Sequence, residues 1–496
     1  MFSVPVYFAG ITINDMGQIP PFTKGIFDDE TPDFSAVDRH IHDVVSVCPD
    51  ALIFPRINMS LPRRWEKANP EELCDFGFTE NKRPCFSSDK WLEDTRNFLK
   101  QFIEHIEKSD YRENIVGYQI ADGNTEEWFP YDMRGSKGVR SKEKCAGMSE
   151  YEEYRYYSER VASAIISLSK TVKEITDCRL VTGVFYGYTI EVTDRNCCQH
   201  ALRQVLECDS IDFICSPLSY TENRRVGIDH SCMVPVDSLK LHGKLYFSEN
   251  DTRTHLTRPV CDLPHYNSSV WQPRDRAEAL EILKMHYSRA LCHGHALWWF
   301  DMWGGWFSDP EFMENLSYFL KITEKSLNKN LSSVSEVAVF IDETSYAYIS
   351  DGTDRFIYPV RHSLGLCGTP YDIYLTSDFN SVYKKYKFLV FLAPRTTALT
   401  ENAVKRAGDI PYIVINAKNS DISSSQFREM FRSAGVHIYC DNDSVVYACE
   451  SFIFVHTCED GKLKINGAGE IKPVIPQGFN LNSEVTKFKS FLFEKQ

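Results

Sequence analysis

Along the first 325 positions, apolar residues gather into short runs separated by longer amphipathic stretches. The runs are Tyr7–Ile13, Ala51–Met59, Ile115–Ile120, Leu180–Tyr186, Phe213–Leu218, Leu245–Ser248 and Ala296–Phe300. Their length and bounding turn residues predict buried strands. Between them, Phe34–Val47, Asp89–Ile106, Ser149–Ile175, Cys198–Glu207 and Arg276–Cys292 place apolar residues at helical spacing. Strands alternating with helices predict a parallel sheet built by right-handed crossovers. Several runs end in polar or aromatic residues: Arg56-Ile57-Asn58, Asp122-Gly123-Asn124, Ser248-Glu249-Asn250 and Asp301-Met302-Trp303. In a (β/α)8 barrel the chemistry sits at those C-terminal strand ends. Seven strands can be counted in this region, which leaves an open sheet or a barrel short of one strand.

The polar stretch Glu324–Val334 reads as a linker. After it, strands are expected at Glu336–Ile341, Tyr371–Leu375, Phe388–Leu392 and Tyr412–Ile415, with helices at Tyr358–Leu366, Thr400–Ala407 and Ser425–Ala434. This is a doubly wound, flavodoxin-like pattern. Its first strand runs into Asp342-Glu343-Thr344-Ser345 instead of a glycine-rich phosphate loop, which argues against nucleotide or flavin binding. From about Ser444 the chain turns β-like, with strands expected at Val445–Ala448, Phe452–Thr457 and Leu463–Ile465 and a hairpin turn at Glu459-Asp460-Gly461. The expected domains are therefore a (β/α) barrel over 1–325, a flavodoxin-like domain over 334–443 and a small β module over 444–496.

Charge narrows the partners. With 55 Lys+Arg against 69 Asp+Glu the net charge is −14, which disfavours nucleic acid or an anionic membrane as the main partner. The 16 cysteines contain no C-x-x-C spacing, so no zinc site is expected. The N-terminus has no basic segment followed by a long apolar run, and no stretch of 18 apolar residues occurs. No signal peptide or membrane span is expected, and the chain is expected to be cytoplasmic with free thiols.

Two strand ends carry paired chemistry. The first is IVGYQIADGNTEEWF, from Ile115 to Phe129, with Asn124, Glu126 and Glu127; the second is YFSENDTRTH, from Tyr246 to His255, with Glu249. Glycoside hydrolysis uses such a carboxyl pair, roughly 5–5.5 Å apart in retaining enzymes. The alternative is that both are solvated or salt-bridged loop carboxylates. A third stretch, ALWWFDMWGGWF from Ala296, packs Trp298, Trp299, Trp303 and Trp306 together. Trp faces stack on sugars, but they also fill cores. Trp298 and Trp299 fall on opposite faces of a strand, so at most one faces a site. Arg56 and Asn58 end a strand and suit hydroxyls, a carboxylate or a structural pair. Tyr186, Tyr188 and Tyr220 suit packing or ligand contact. His255, His295 and Asp301 are weaker candidates. No G-x-S-x-G elbow is present, which disfavours a serine triad.

These stretches, in this order, resemble the clan A retaining glycoside hydrolases, and within them the family 42 β-galactosidases. Ile115–Phe129 resembles the fourth-strand acid/base segment, Tyr246–His255 the seventh-strand nucleophile segment and Ala296–Phe307 the eighth strand. Leu364–Phe379 resembles part of the trimerisation domain that follows the barrel, and Ala434–Thr457 the later part of such chains. Two strands lie between the Glu126 and Glu249 segments, the interval from fourth to seventh. Counting back, the chain lacks about one βα unit of the family's barrel. The resemblance implies an N-terminally incomplete TIM-type barrel acting on an oligosaccharide or glycoside. Glu249 would be the nucleophile and Glu126 the acid/base, although the family has Asn directly before that Glu and Glu127 competes for the role. Arg56, Asn124, Tyr220, Trp299 and Trp303 would line the sugar site. It further implies no metal or organic cofactor and a homo-oligomer, a trimer. Other β-glycosidase specificities, β-mannosidase or β-glucosidase, and an inactive carbohydrate-binding remnant stay open.

Overall fold

The structure is a computed structural model that describes residues 1–10, 24–75, 82–133, 136–192, 194–220, 224–257, 272–301, 304–349 and 356–496. Two compact units share the chain: Met1–Cys215 with Leu241–Leu245 and Tyr346–Ser350, and Ser216–Lys240 with Tyr246–Ser345 and Asp351–Gln496. Among the described residues, no helix is long and apolar enough to cross a membrane.

The strands of the first region are β1 (Phe2–Tyr7) and, at the six later apolar runs, β2 (Ile53–Asn58), β3 (Gly117–Ala121), β4 (Val181–Phe185), β5 (Phe213–Pro217), β6 (Leu245–Asn250) and β7 (Ala296–Trp299). They make one seven-stranded sheet in sequential order, with β1 and β7 at its ends. Within the first unit, β1 to β5 pair in parallel, as do β6 and β7 in the second. A parallel sheet in sequential order has every right-handed crossover turning the same way, so its helices lie on one face. This is the winding of a TIM-type barrel, here with seven strands among the described residues. The connecting helices include α1 (Ser35–Val47), α2 (Asp89–Ile106), α3 (Glu150–Ile175) and α4 (Leu202–Leu206) in the first unit, with α5 (Val236–Leu241), α6 (Arg276–His293) and α7 (Pro310–Ser326) in the second. Capping sets several of their starts. The Ser88 hydroxyl accepts from the Trp91 amide at 2.9 Å, and Ser149 with Glu152 forms a reciprocal capping box.

β1 lies earlier than its hydrophobic run suggests. The run extends past Gly10 to Ile13, but the strand occupies Phe2–Tyr7; Ile11–Ile13 lie outside the described residues. The amides of Phe2 and Phe8 donate to Leu52 and Asn58, so even-numbered residues face β2. Pro5 therefore stands where its missing N–H costs no ladder bond, as suits a strand at a sheet end. The helix over Pro310–Ser326 is absent from the expected elements, and it takes up the start of the expected linker at Glu324–Val334.

In the second unit, β8 (Val337–Ile341), β9 (Asp372–Leu375), β10 (Phe388–Leu392) and β11 (Tyr412–Ile415) pair in parallel in the order β9-β8-β10-β11. The reversal about β8 is the flavodoxin-like winding. The amides of Ile373 and Leu375 on edge strand β9 donate to Asp237 Oδ2 and Ser238 Oγ of α5, at 2.8 and 2.7 Å. Side chains thus occupy donors that would otherwise template another strand.

The C-terminal β12 (Ser444–Ala448), β13 (Phe452–Thr457), β14 (Ile471–Ile475) and β15 (Ser490–Lys495) form an antiparallel sheet in the order β12-β13-β15-β14. The strand expected at Leu463–Ile465 is absent. Leu463 instead turns into the core formed with Val446, Ile453 and Phe493, and Gly461-Lys462 pairs with Glu484-Val485. β14 carries Pro473 and a bulge on an edge, which hides it from an alternation pattern.

Candidate active site

In the first unit, the face of the barrel sheet away from the helices is identified by its side chains. Tyr118 packs on Phe102 of α2, so Gln119 points the other way. Arg56 pairs with Gln119 in register, and Tyr7 with Asn58. Tyr7, Arg56, Asn58 and Gln119 therefore share the inner face near the C-terminal strand ends. Deeper on that face, the rings of Phe54 and Phe213 meet at 5.5 Å. They fit because β3 and β4 place glycines there: a Cβ on Gly183 would lie 1.9 Å from the Phe213 ring. Gly183→Ala is expected to cost about 2–3 kcal/mol by overpacking and to lower the thermal midpoint; an unchanged midpoint would contradict this packing.

Glu126 arrives through a tightly folded loop. Asp122 Oδ1 accepts from the Gly123 amide at 2.7 Å and from Ser60 Oγ at 3.2 Å, and the Trp128 amide donates to Asp122 O at 2.8 Å. Asn124 is half-buried, its amide donating to Phe129 O at 3.0 Å. Thr125, Glu126 and Trp128 have φ of 59°, 65° and 63°. Such non-glycine conformations cost on the order of 1–3 kcal/mol each and persist where surroundings over-determine them. Here the surroundings are the buried Trp128 ring, whose Nε1 donates to Ile120 O at 3.3 Å, and Gln199, whose Nε2 donates to Glu127 O at 2.7 Å.

The two adjacent glutamates diverge. Glu127 accepts from Tyr188 Oη at 2.9 Å and from Thr125 Oγ1 at 2.6 Å, which ties it into the loop. Glu126 Oε2 lies 3.1 Å from Arg56 Nε in an ion pair, and the Arg56 guanidinium stands 4.6 Å over the Phe185 ring. Glu126 thus joins the inner-face residues. Burial, then the Glu126 charge, pushes the Tyr7 phenol up. Tyr7 opens a hydrophobic run and ends β1, so nothing in the sequence singles it out.

Asp122 is buried, and burial pushes its carboxyl from 3.8 up to about 6. The folded state then binds more protons than the unfolded chain between about pH 4 and 6, so this group's contribution to stability falls as pH rises through that window. Asp122→Asn keeps an acceptor for Gly123 and Ser60 but cannot ionise. Relative to wild type it is expected to gain about 2–3 kcal/mol at pH 7 and nothing near pH 4, because each pH unit between the unfolded and folded titrations is worth about 1.4 kcal/mol. Thermal midpoints of both proteins at the two pH values check this; a gap that does not change with pH would contradict it.

In the second unit, Glu249 is 4% exposed near the C-terminal end of β6 and pairs in register with Trp298. The Phe247 and Trp298 rings meet at 4.9 Å, so Phe247, Glu249 and Trp298 share a face. Leu297 and Trp299 point the other way, onto the core formed by Leu283 and Leu291 of α6 with Trp306 and Phe307. Trp299 is the expected sugar contact; strand register puts Trp298 on the Glu249 face instead. Trp303 lies outside the described residues. Tyr220 is 43% exposed, with the Arg224 guanidinium 4.2 Å from its ring. Asp301 closes a turn by accepting from the amides of Gly305 and Trp306 at 2.9 and 3.1 Å. His295 packs beside Tyr246, and burial holds its pKa well below the usual range.

By sequence, neither a protein-family model nor a curated protein matches the chain. By structure, it is similar to the β-galactosidase from the psychrophilic Marinomonas ef1, with a TM-score of 0.63 at 11% identity over 99% of this chain and 95% of that one. Gan42B, a GH42 β-galactosidase from G. stearothermophilus, aligns with a TM-score of 0.62 at 10% identity over 100% of this chain and 93% of that one. An exo-carrageenase of GH42 from Bacteroides ovatus gives 0.57 at 12% identity, over 99% and 79%. At such identities the likeness is one of architecture, and the chain has the fold of the family 42 glycoside hydrolases.

Proposed function

We propose that the protein is a retaining glycoside hydrolase that releases a terminal β-linked sugar, with a β-galactoside as the first substrate to test. The observation that carries the reading is Glu249: a buried carboxyl near the C-terminal end of a barrel strand, sharing its face with Trp298. Glu126, on the inner-face side of its own unit, is the partner carboxyl. In the first step Glu249 attacks the anomeric carbon, the glycosidic C–O bond breaks, and Glu126 gives its proton to the leaving oxygen. In the second step Glu126 takes a proton from water as the water displaces Glu249, and retention follows from the two inversions. The mechanism requires the two carboxyls to stand roughly 5–5.5 Å apart. Arg56 orients Glu126, and Trp298 and Tyr220 supply aromatic faces for the sugar. By the resemblance of its second domain, the chain is proposed to assemble as a homotrimer, which light scattering tests.

One observation favours a second reading, a sugar-binding protein without turnover. Glu126 stands five residues beyond the end of β3 and is engaged by Arg56. Hydrolysis of aryl β-glycosides of galactose, glucose, mannose, fucose and arabinose separates the two. Release of phenol from one of them supports the hydrolase, whereas binding without release supports the second reading.

A further inference from the structure

A single buried arginine joins the ends of two neighbouring strand segments in the second unit. Arg224 is 2% exposed. Its Nε donates to Ser219 O at 3.0 Å and its Nη2 to Leu218 O at 2.7 Å, both just past β5. Its Nη1 lies 2.7 Å from Asp251 Oδ1, two residues beyond Glu249, in a pair in which both side chains are buried. The same guanidinium lies 4.2 Å from the centroid of the exposed Tyr220 ring. One planar group thus touches the backbone that carries Tyr220, the Tyr220 ring itself and the segment that follows Glu249.

Arg224 is itself held from behind. The Ser219 amide donates to Ser231 O at 2.9 Å, which closes the base of the segment. The Gly227 amide donates to Nε2 of His456 on β13 at 2.8 Å. Burial pushes His456 down to about 3, so it stays a neutral acceptor at ordinary pH. Asp229 pairs with Arg289 of α6 and accepts from Tyr447 Oη of β12 at 2.7 Å. The C-terminal sheet therefore anchors the chain beyond Arg224.

We propose that Arg224 is a positioning residue that fixes Tyr220 as a stacking platform for the sugar ring next to the Glu249 strand end. The inference rests on the sugar site proposed above and adds to it how that site is held. A lysine cannot replace the arginine, because it lacks the planar fork that spans two carbonyls and a carboxylate while stacking on a ring. Arg224 acts on the sugar through Tyr220, so the effects of changing the two residues overlap.

The test is a double-mutant cycle on the full chain, read as binding of methyl β-galactoside, methyl β-glucoside and methyl β-mannoside by calorimetry. Tyr220→Ala and Arg224→Lys are each expected to weaken binding of the preferred glycoside about tenfold, the scale of an aromatic contact. The double variant is expected to bind no more than about twofold more weakly than either. In turnover, Arg224→Lys is expected to raise KM with kcat within about twofold. If Arg224→Lys does not fold, Arg224→Met with Asp251→Leu removes both buried charges together, with the same loss expected. Wild-type binding by Arg224→Lys, a fully additive double variant, or no binding of any glycoside by the wild type would overturn the proposal. If the cycle behaves as expected but no aryl glycoside is hydrolysed, Arg224 keeps its role and the hydrolase reading falls.

Discussion

Glu249→Gln is expected to abolish turnover, with kcat on the best aryl β-glycoside falling by about 10⁴-fold or more, the scale seen when a nucleophile is removed. The amide is isosteric and neutral, and it cannot displace a leaving group from the anomeric carbon. Glu249 is 4% exposed within a strand, so the swap leaves surface charge nearly unchanged and the fold intact. Sugar affinity is expected to hold within a few-fold, because stacking on Trp298 and Tyr220 does not depend on the carboxylate charge. Glu126→Gln should behave differently. With an activated dinitrophenyl leaving group, which needs no proton, the first step should survive and the second should slow. Added azide should then restore turnover and yield the β-glycosyl azide, since azide attacks without a general base. Equal loss in both variants, with no azide effect, would remove Glu126 from the acid/base role.

The second large effect is on stability. Arg289 and Asp229 form a buried ion pair, with Tyr447 Oη donating to Asp229 Oδ1 at 2.7 Å and Arg289 Nη2 donating to Tyr447 Oη at 3.0 Å. The guanidinium also stands 4.3 Å over the Tyr447 ring. The three side chains join α6, the segment after β5 and the C-terminal sheet. Arg289→Met leaves the Asp229 charge in a low-dielectric interior without its partner, at an expected cost of about 3–5 kcal/mol. Adding Asp229→Leu removes the stranded charge and should restore most of that loss. Urea unfolding of the wild type and the two variants measures both. A single variant as stable as the wild type would mean that this pair does not hold the C-terminal sheet in place.

Much of the architecture could be read from the chain because burial imposes period. Six of the seven apolar runs, from Ala51–Met59 onward, became barrel strands, and Asp89–Ile106, Phe388–Leu392, Tyr412–Ile415 and Phe452–Thr457 fall where their patterns placed them. Pattern failed where one residue served two masters. Pro473 and a bulge broke the alternation of β14, and the apolar run that begins at Tyr7 drew attention past β1, of which it holds only the last residue. The site was harder, because faces and partners are properties of register and not of spacing. Strand alternation allowed only one of Trp298 and Trp299 to face a site, and the pairing of Glu249 with Trp298 puts the first on the Glu249 face. Glu126 and Glu127 are equivalent in composition; Tyr188 and Thr125 occupy one while Arg56 meets the other. Arg224 and Asp251 come together only because two strand ends do, and no local motif announces that.

Trapping the covalent intermediate tests the role of Glu249 as nucleophile. The protein is incubated with the 2-deoxy-2-fluoro-β-glycosyl fluoride of whichever sugar the aryl panel selects, then digested and mapped by mass. The fluorine at C2 slows both steps, and the fluoride leaving group restores the first, so the glycosyl-enzyme accumulates. The expected product is one added fluoroglycosyl group on the peptide that contains Glu249, with time-dependent loss of activity. Labelling of a different residue, or steady turnover of the substrate with no labelled peptide, would contradict it.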